Sequence, residues 1–329
     1  MSVNNVSVNT KSLNTMSVNN TSSSTLSTSK SSTFTSKQPL KVSDYLSSLK
    51  VVMVNTTLPA NIGSAARAMH TMGLSRLSIV DPKLPIDNTS VLYAAGGSSV
   101  LDNAQVITTL EKAIDDCQLV FAASSRSRHL PRPVVTPTQA AKIMLDFIDN
   151  QTKISIESEH SLANQPSIAI LFGREDRGLT NEELAYADYH IQIDANPEYP
   201  VLNVASAVQV IASFIFAYAQ THQPIDNNFN GRSTDTVNQN LSDDVNESPA
   251  SQPFINSYIR QQWDEPAITQ QQLQSLTQRT TELMISRGLA DSNHLKSLPT
   301  RLSRLGSRIQ LDQKEYQLLS ALIAKLLKE

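Results

Sequence analysis

Two short polar clusters carry residue types able to organise a nucleophile or an anion. Asn61, Gly63 and Arg67 are spaced N-x-G-x-x-x-R, and Phe172, Gly173, Glu175 and Gly178 are spaced F-G-x-E-x-x-G. Each follows an apolar run, residues 51–54 in the first case and 168–172 in the second. An arginine presents a planar fork of donors suited to phosphate or to a developing oxyanion, and with a pKa above about 12 its guanidinium is an organiser and not a base. A third polar stretch, Asn196-Pro197-Glu198-Tyr199-Pro200-Val201-Leu202-Asn203, leads into a long apolar helical pattern. Between the first two clusters, the small residues Ala123, Ser124 and Ser125 let a ligand approach the backbone, and Arg126, Arg128 and Arg132 suit phosphate. Taken singly, each cluster also fits an ordinary strand-to-helix turn, with Asn61 a helix cap, Arg67 a solvated helix charge and the arginine-rich loop merely exposed.

The elements that must position these residues alternate. Apolar runs at 51–54, 77–80, 119–122, 168–172 and 190–193 read as strands, with amphipathic helical spacing between them, first over 62–72. This argues for an α/β domain: a mostly parallel sheet with helices on both faces. Pro59 ends the first strand's extension, Asn61 caps the helix that follows, and Gly63 allows close backbone approach. Arg67 falls about one turn later on the same face, pointing toward the sheet edge. Both polar clusters then sit just past strand ends, where ligand crevices of open α/β sheets lie. Residues 204–218 read as a buried helix closing the domain, and 155–165 as a surface loop.

The organisation is read as a Ser/Thr/Asn-rich disordered tail over 1–44, the α/β domain over 45–222, a flexible acidic linker over 223–253 and a small C-terminal helical domain over 254–329. In that last part the helical spacing covers 254–263, 269–287 and 312–327. Arg301, Arg304 and Arg308 recur at i, i+3 and i+7, which places them on one helix face able to meet a phosphate track, with Leu302 and Leu305 turned to the core.

With 329 residues, 40% of them hydrophobic, the chain has enough apolar material for a real core. A net charge of −3 argues against wholesale polyanion binding and leaves room for a local basic patch. No apolar run approaches the roughly 20 residues of a membrane span, and no secretory signal is visible, so a cytoplasmic protein with no membrane partner is expected. The single cysteine, Cys117, excludes an intramolecular disulfide, has no companions at metal-ligand spacing and reads as a buried packing thiol; no metal is expected.

The three polar stretches, in this order, are similar to motifs 1, 2 and 3 of the SpoU branch of the SPOUT RNA 2'-O-methyltransferases. The Ser125-Arg126-Ser127-Arg128-His129-Leu130-Pro131 loop and the Met69-His70-Thr71-Met72-Gly73-Leu74 run look most like the bacterial members acting on tRNA. The resemblance implies a trefoil-knotted domain that forms a homodimer and holds S-adenosylmethionine in the knot. It implies cofactor contacts at Ala123, Ser124 and Ser125, at Phe172 and Gly173, at Ile193, and at Pro200, Val201 and Leu202. Arg67 matches the arginine regarded as catalytic in the family, with Asn61, Glu175 and Asn203 as its polar support and Glu175 ordering Asn61 or Arg67. The implied reaction is attack of a ribose 2'-hydroxyl on the sulfonium methyl, the target being cytidine or uridine at anticodon-loop nucleotide 32 of tRNA. A ribosomal RNA 2'-O-methyltransferase and a non-catalytic RNA-binding SPOUT protein are the alternatives. Where the family usually has Ser-Leu-Asn in motif 3, this chain has Val201-Leu202-Asn203 and lacks that hydroxyl.

Overall fold

The computed structural model describes residues 40–124, 133–157, 165–222, 260, 263–292, 295 and 297–328. Seven strands, β1 (Leu49–Val54), β2 (Arg76–Val80), β3 (Gln105–Ile107), β4 (Leu119–Ala123), β5 (Val134–Val135), β6 (Ile168–Phe172) and β7 (Tyr189–Ile191), form one sheet in the order β3-β2-β1-β6-β4-β7-β5. Every pairing is parallel.

A parallel sheet needs cover on both faces, and the strand sequences supply it. In β1 the side chains of Val51 and Met53 enter one apolar cluster while Val52 and Val54 enter another on the opposite face. The larger cluster takes Ile62 and Met69 from helix Pro59–Thr71, Met144 and Ile148 from Pro137–Glu157, and Val208, Ile211 and Ile215 from Val204–Thr221. The smaller face is covered by Ile114, Cys117, Leu179 and Leu184. Burial pushes the Cys117 thiol up to about 12, so it is a packing group and not a nucleophile. Lys50, polar within a fully buried strand, is accommodated because its Nζ donates to Asp116 Oδ1 at 2.5 Å and to the Ala113 carbonyl at 3.1 Å.

Helix Val204–Thr221 is long and apolar enough, by length and composition, to cross a membrane, yet it is a core helix here, with Val208, Ile211 and Ile215 buried. Of the C-terminal helices Gln270–Ser286, Leu298–Ile309 and Gln313–Lys328, the first and last build a small cluster of their own around Leu273, Leu276 and Ile323. They also join the α/β part. Gln270 N donates to the Cys117 carbonyl at 2.8 Å, Ala267 N donates to Gln151 Oε1 at 2.7 Å, and Trp263 meets Phe147 edge-on with ring centroids 6.1 Å apart.

Several expectations change. Helix Val42–Ser47, with Tyr45 and Leu46 buried, takes in the end of the expected 1–44 tail, and the helix after β1 begins at Pro59, with Leu58 in the capping position, so Asn61 lies inside its first turn and is not its cap. A proline needs no N–H partner in that first turn and has its φ already set, which moves the boundary ahead of Asn61. The last strand ends at Ile191, leaving Ile193 beyond it. The edge strands β3 and β5 were not read from sequence; they are three and two residues long, too short for a pattern. Helix Pro137–Glu157 takes in the start of the expected 155–165 loop, and 158–164 lie outside the described residues. Leu305 is 54% exposed and does not turn to the core. Helix Leu298–Ile309 instead approaches its neighbour through Gly306, where an added Cβ would meet Leu273 Cδ1 at 2.4 Å. Arg260 and Trp263 of the expected 254–263 helix are non-helical, and its other residues lie outside the described set. So do Ser125, Arg126, Arg128 and Arg132, the tail up to residue 39 and the linker from residue 223.

Candidate active site

The sheet register sets the ends of four strands side by side. Met53 pairs with Phe172, Ala122 with Leu171, and Ala123 with Ile191, so the loops leaving β1, β6, β4 and β7 all open at one edge. This is the carboxyl edge of the sheet, where α/β proteins bind ligands.

After β6 the chain makes a tight turn that two glycines permit. A Cβ at Gly173 would lie 2.2 Å from the backbone of Gly178 and Leu179, and Gly178 adopts φ +69° and donates its N–H to the Arg174 carbonyl at 2.8 Å. The turn aims Glu175 at the loop that follows β1. Its Oε2 accepts from Thr57 N at 3.0 Å and Thr57 Oγ1 at 2.7 Å, and its Oε1 accepts from Asn61 Nδ2 at 2.8 Å and Leu58 N at 3.4 Å. Partial burial raises the carboxyl's pKa, but the hydrogen bonds from Asn61 and Thr57 more than reverse this and hold it below the ordinary glutamate range. Its charge is met by neutral donors.

From Glu175 the polarity runs on through two amides. Asn61 offers its NH2 to the carboxylate, so its Oδ1 is left to accept from Asn203 Nδ2 at 3.0 Å, and Asn203 Oδ1 accepts from Ala205 N at 2.8 Å. That last bond caps helix Val204–Thr221. Three segments far apart in sequence are therefore wired in one direction, from a backbone N–H through two amides to a carboxylate.

Beside this relay lies a cleft of about 370 Å³. Its walls include Ala123 and Ser124 from the end of β4, Phe172 and Gly173 from β6, Ile193 beyond β7, and Pro200, Val201 and Leu202 from the loop before the last helix of the α/β part. Glu175 lines it too, together with Arg174, Asp176, Arg177 and Ala207, which sequence reasoning did not single out. The signal for the first three was their position between the spaced Gly173, Glu175 and Gly178. Thr57 was also missed, although a hydroxyl just past a strand end was visible.

Arg67 stands apart. It is exposed, it does not line the cleft, and its guanidinium pairs with no side chain among the described residues. It lies six positions after Asn61, which on a helix of about 3.6 residues per turn places the two roughly a third of a turn apart in direction. Its backbone packs instead against the segment after helix Asn88–Ala94, where a Cβ on Gly97 would sit 2.7 Å from Arg67 Cα. Of the C-terminal arginines, Arg301 and Arg308 are exposed and Arg304 is half-buried, and none lines the cleft. Among the described residues no group of three or more His, Cys, Asp or Glu side chains is placed to hold a metal ion.

Residues 48–213, which carry the whole relay, match the SpoU rRNA methylase family. The chain belongs to this family. Among SpoU relatives, TrmJ of Salmonella typhimurium, a tRNA (cytidine/uridine-2'-O-)-methyltransferase, is 32% identical over 281 residues, covering 85% of this chain and 97% of its own length. The enzyme of the same name from Escherichia coli O6:K15:H31 is 31% identical over 281 residues, covering 85% of this chain and 96% of its own. The crystal structure of TrmJ from Z. mobilis ZM4 shares the fold, with a TM-score of 0.60 at 24% identity over 84% of this chain and 98% of that one. As a SpoU member the chain is a methyltransferase with an α/β fold and a C-terminal helical region.

Proposed function

We propose that this chain is a cytoplasmic tRNA 2'-O-methyltransferase that uses S-adenosylmethionine and modifies cytidine or uridine at anticodon-loop nucleotide 32. The observation that carries the reading is the relay joining Glu175, Asn61 and Asn203 at the rim of a cleft on the sheet's carboxyl edge. Similarity to TrmJ along nearly its full length favours tRNA over ribosomal RNA.

The cleft fits the cofactor. Its volume is within the range of about 300–1,000 Å³ usual for small-molecule sites, Ile193 and Leu202 offer apolar walls to an adenine ring, and Ala123, Ser124 and Gly173 bring backbone close. When bound, S-adenosylmethionine supplies an electrophilic methyl on a sulfonium cation. Glu175, ionised and surrounded by neutral donors, sets a negative charge at the wall that favours a cationic ligand. Asn61 and Asn203 fix its direction. Arg67, outside the cleft wall, serves the RNA: its guanidinium holds the ribose hydroxyl's developing negative charge. Tyr199, Val201 and Leu202, exposed just before helix Val204–Thr221, and Phe214, exposed further along it, are apolar side chains that a second copy would cover, in keeping with a homodimer whose chain is threaded as a trefoil knot.

Purified protein incubated with labelled S-adenosylmethionine should place methyl groups on tRNA ribose, located by nucleoside mapping. Arg67→Ala should reduce turnover at least a hundredfold and leave cofactor affinity within about twofold, since the side chain is outside the cleft. Label in ribosomal RNA alone would overturn the substrate assignment. Tight tRNA binding without transfer would mark a non-catalytic RNA-binding protein, and near-full turnover in Arg67→Ala would remove Arg67 from the chemistry.

A further inference from the structure

In the turn between Gly173 and Gly178, Glu175 lines the cleft and bonds into the relay, and Arg174, Asp176 and Arg177 line the cleft beside it. Asp176 accepts two bonds from Arg174, 3.0 Å from Nε and 2.9 Å from Nη2, and a third from Arg177 Nε at 3.2 Å. Asp176 and Arg177 are well exposed, with side-chain exposures of 50% and 64%, and Arg174 is less so at 26%. Among the described residues lining the cleft, Arg174 and Arg177 are the only cations. Two arginines and one aspartate give this trio one positive unit, balanced over the cleft as a whole by Glu175, whose carboxylate accepts from Thr57, Leu58 and Asn61.

This deepens the function proposed above and rests on it. A ribose that brings its 2'-oxygen to the cleft also brings the 3'-phosphodiester on the adjacent carbon, a single negative charge that must settle near the rim. We infer that Arg174 and Arg177 form the phosphate clamp for the methylated nucleotide, and that Asp176 is its built-in competitor, holding the two guanidiniums together until an RNA phosphate takes its place. The turn is suited to this because its backbone is already fixed by the Gly178 bond and by the four donors gripping Glu175, so little ordering accompanies binding. Arginine forks match phosphate oxygens in two-point contacts, and such contacts make RNA affinity fall with salt.

The competitor predicts a change of unusual sign. Asp176→Asn, removing the competing charge, should tighten tRNA binding about threefold to tenfold at low salt and steepen its salt dependence. Arg174→Gln with Arg177→Gln should raise KM for tRNA about tenfold and flatten the salt slope by up to about 0.7 per lost single-strand contact, with kcat and S-adenosylmethionine affinity within about twofold. Thermal melting of each variant checks that the fold is intact. Weaker or unchanged tRNA binding in Asp176→Asn overturns the inference. So does loss of cofactor affinity in the double arginine variant with tRNA binding intact, which would give the pair to the cofactor's carboxylate. If the wild-type protein methylates a different RNA, the substrate assignment falls, and the same variants assayed on that RNA still decide the clamp, because every RNA carries the phosphate.

Discussion

Glu175 keeps its negative charge through hydrogen bonds from neutral donors, and this has a measurable consequence. Because its hydrogen bonds lower the folded-state pKa, the unfolded chain binds a proton more readily over the acid range. Its contribution to stability is complete above the unfolded-state value and is lost as pH falls through the lower, folded one. Glu175→Gln should flatten that acid limb in melts recorded across acidic pH. It should also cost about 1–3 kcal/mol near neutrality, because the glutamine NH2 is turned against a donor from Thr57 or Asn61. An acid limb identical to wild type would show that the relay does not hold Glu175 ionised. At this scale the sequence was partly legible. The spacings drew attention to Asn61, Glu175 and Asn203, but an asparagine at the start of a helix reads as a cap whether or not it is one. Only the position of Pro59 turns Asn61 inward. Arg67 was legible as a type of residue and not as a direction, since its angle on the helix is set by the same boundary. Val201, 61% exposed on the cleft wall, contacts the site without a hydroxyl to offer.

Among the elements, helix Pro59–Thr71 and its neighbour Asn88–Ala94 meet backbone to backbone at a glycine. A Cβ on Gly63 would lie 2.1 Å from the Ser90 carbonyl oxygen and 2.9 Å from Ala94 N, atoms that move only if a helix moves. Gly63→Ala should therefore destabilise the protein by about 1–3 kcal/mol or more. Gly306→Ala is the useful contrast, because the atom in its way is the mobile end of the Leu273 side chain and a rotamer change relieves it. Equilibrium denaturation that ranks the two variants in the opposite order would refute this account of the packing. Long buried strands such as β1 and β6 announce themselves by continuous apolar runs. The edge strands do not, because Val106 and Val134 are half-exposed and nothing but the neighbouring strand selects their conformation. Leu305 misled for a related reason: helical spacing says which residues share a face, while a glycine decides which face approaches the partner.

At the scale of the whole molecule, arginines group at the cleft rim, with Arg174 and Arg177, and on helix Leu298–Ile309, with Arg301, Arg304 and Arg308. If the helical part docks tRNA, replacing Arg301, Arg304 and Arg308 together by Gln should weaken binding and reduce its salt slope by up to about 0.9 per lost double-helical phosphate contact, leaving cofactor affinity unchanged. Filter binding at several salt concentrations checks this, and an unaltered slope in a folded variant would restrict recognition to the α/β part. One helix, Pro137–Glu157, takes contacts from both ends of the connection between the two parts. His222, where the α/β part ends, bonds through Nε2 to Asp149 at 2.8 Å, and Trp263, which takes up the chain again, lies against Phe147 and donates to the Arg260 carbonyl at 2.6 Å. Asp149 and Phe147 are two positions apart on a single helix. At about 100° per residue the two positions face opposite sides of that helix, so it receives the α/β part's last described residue, His222, on one side and Trp263 on the other. The two parts are joined by their own contacts, Gln270 to Cys117, Ala267 to Gln151 and Trp263 to Phe147, so lengthening the connection should cost only closure entropy, about 0.6 kcal/mol for each doubling. A chain nicked within it would be expected to run as one particle on a sizing column, its fragments separating only when the buried contacts themselves are broken.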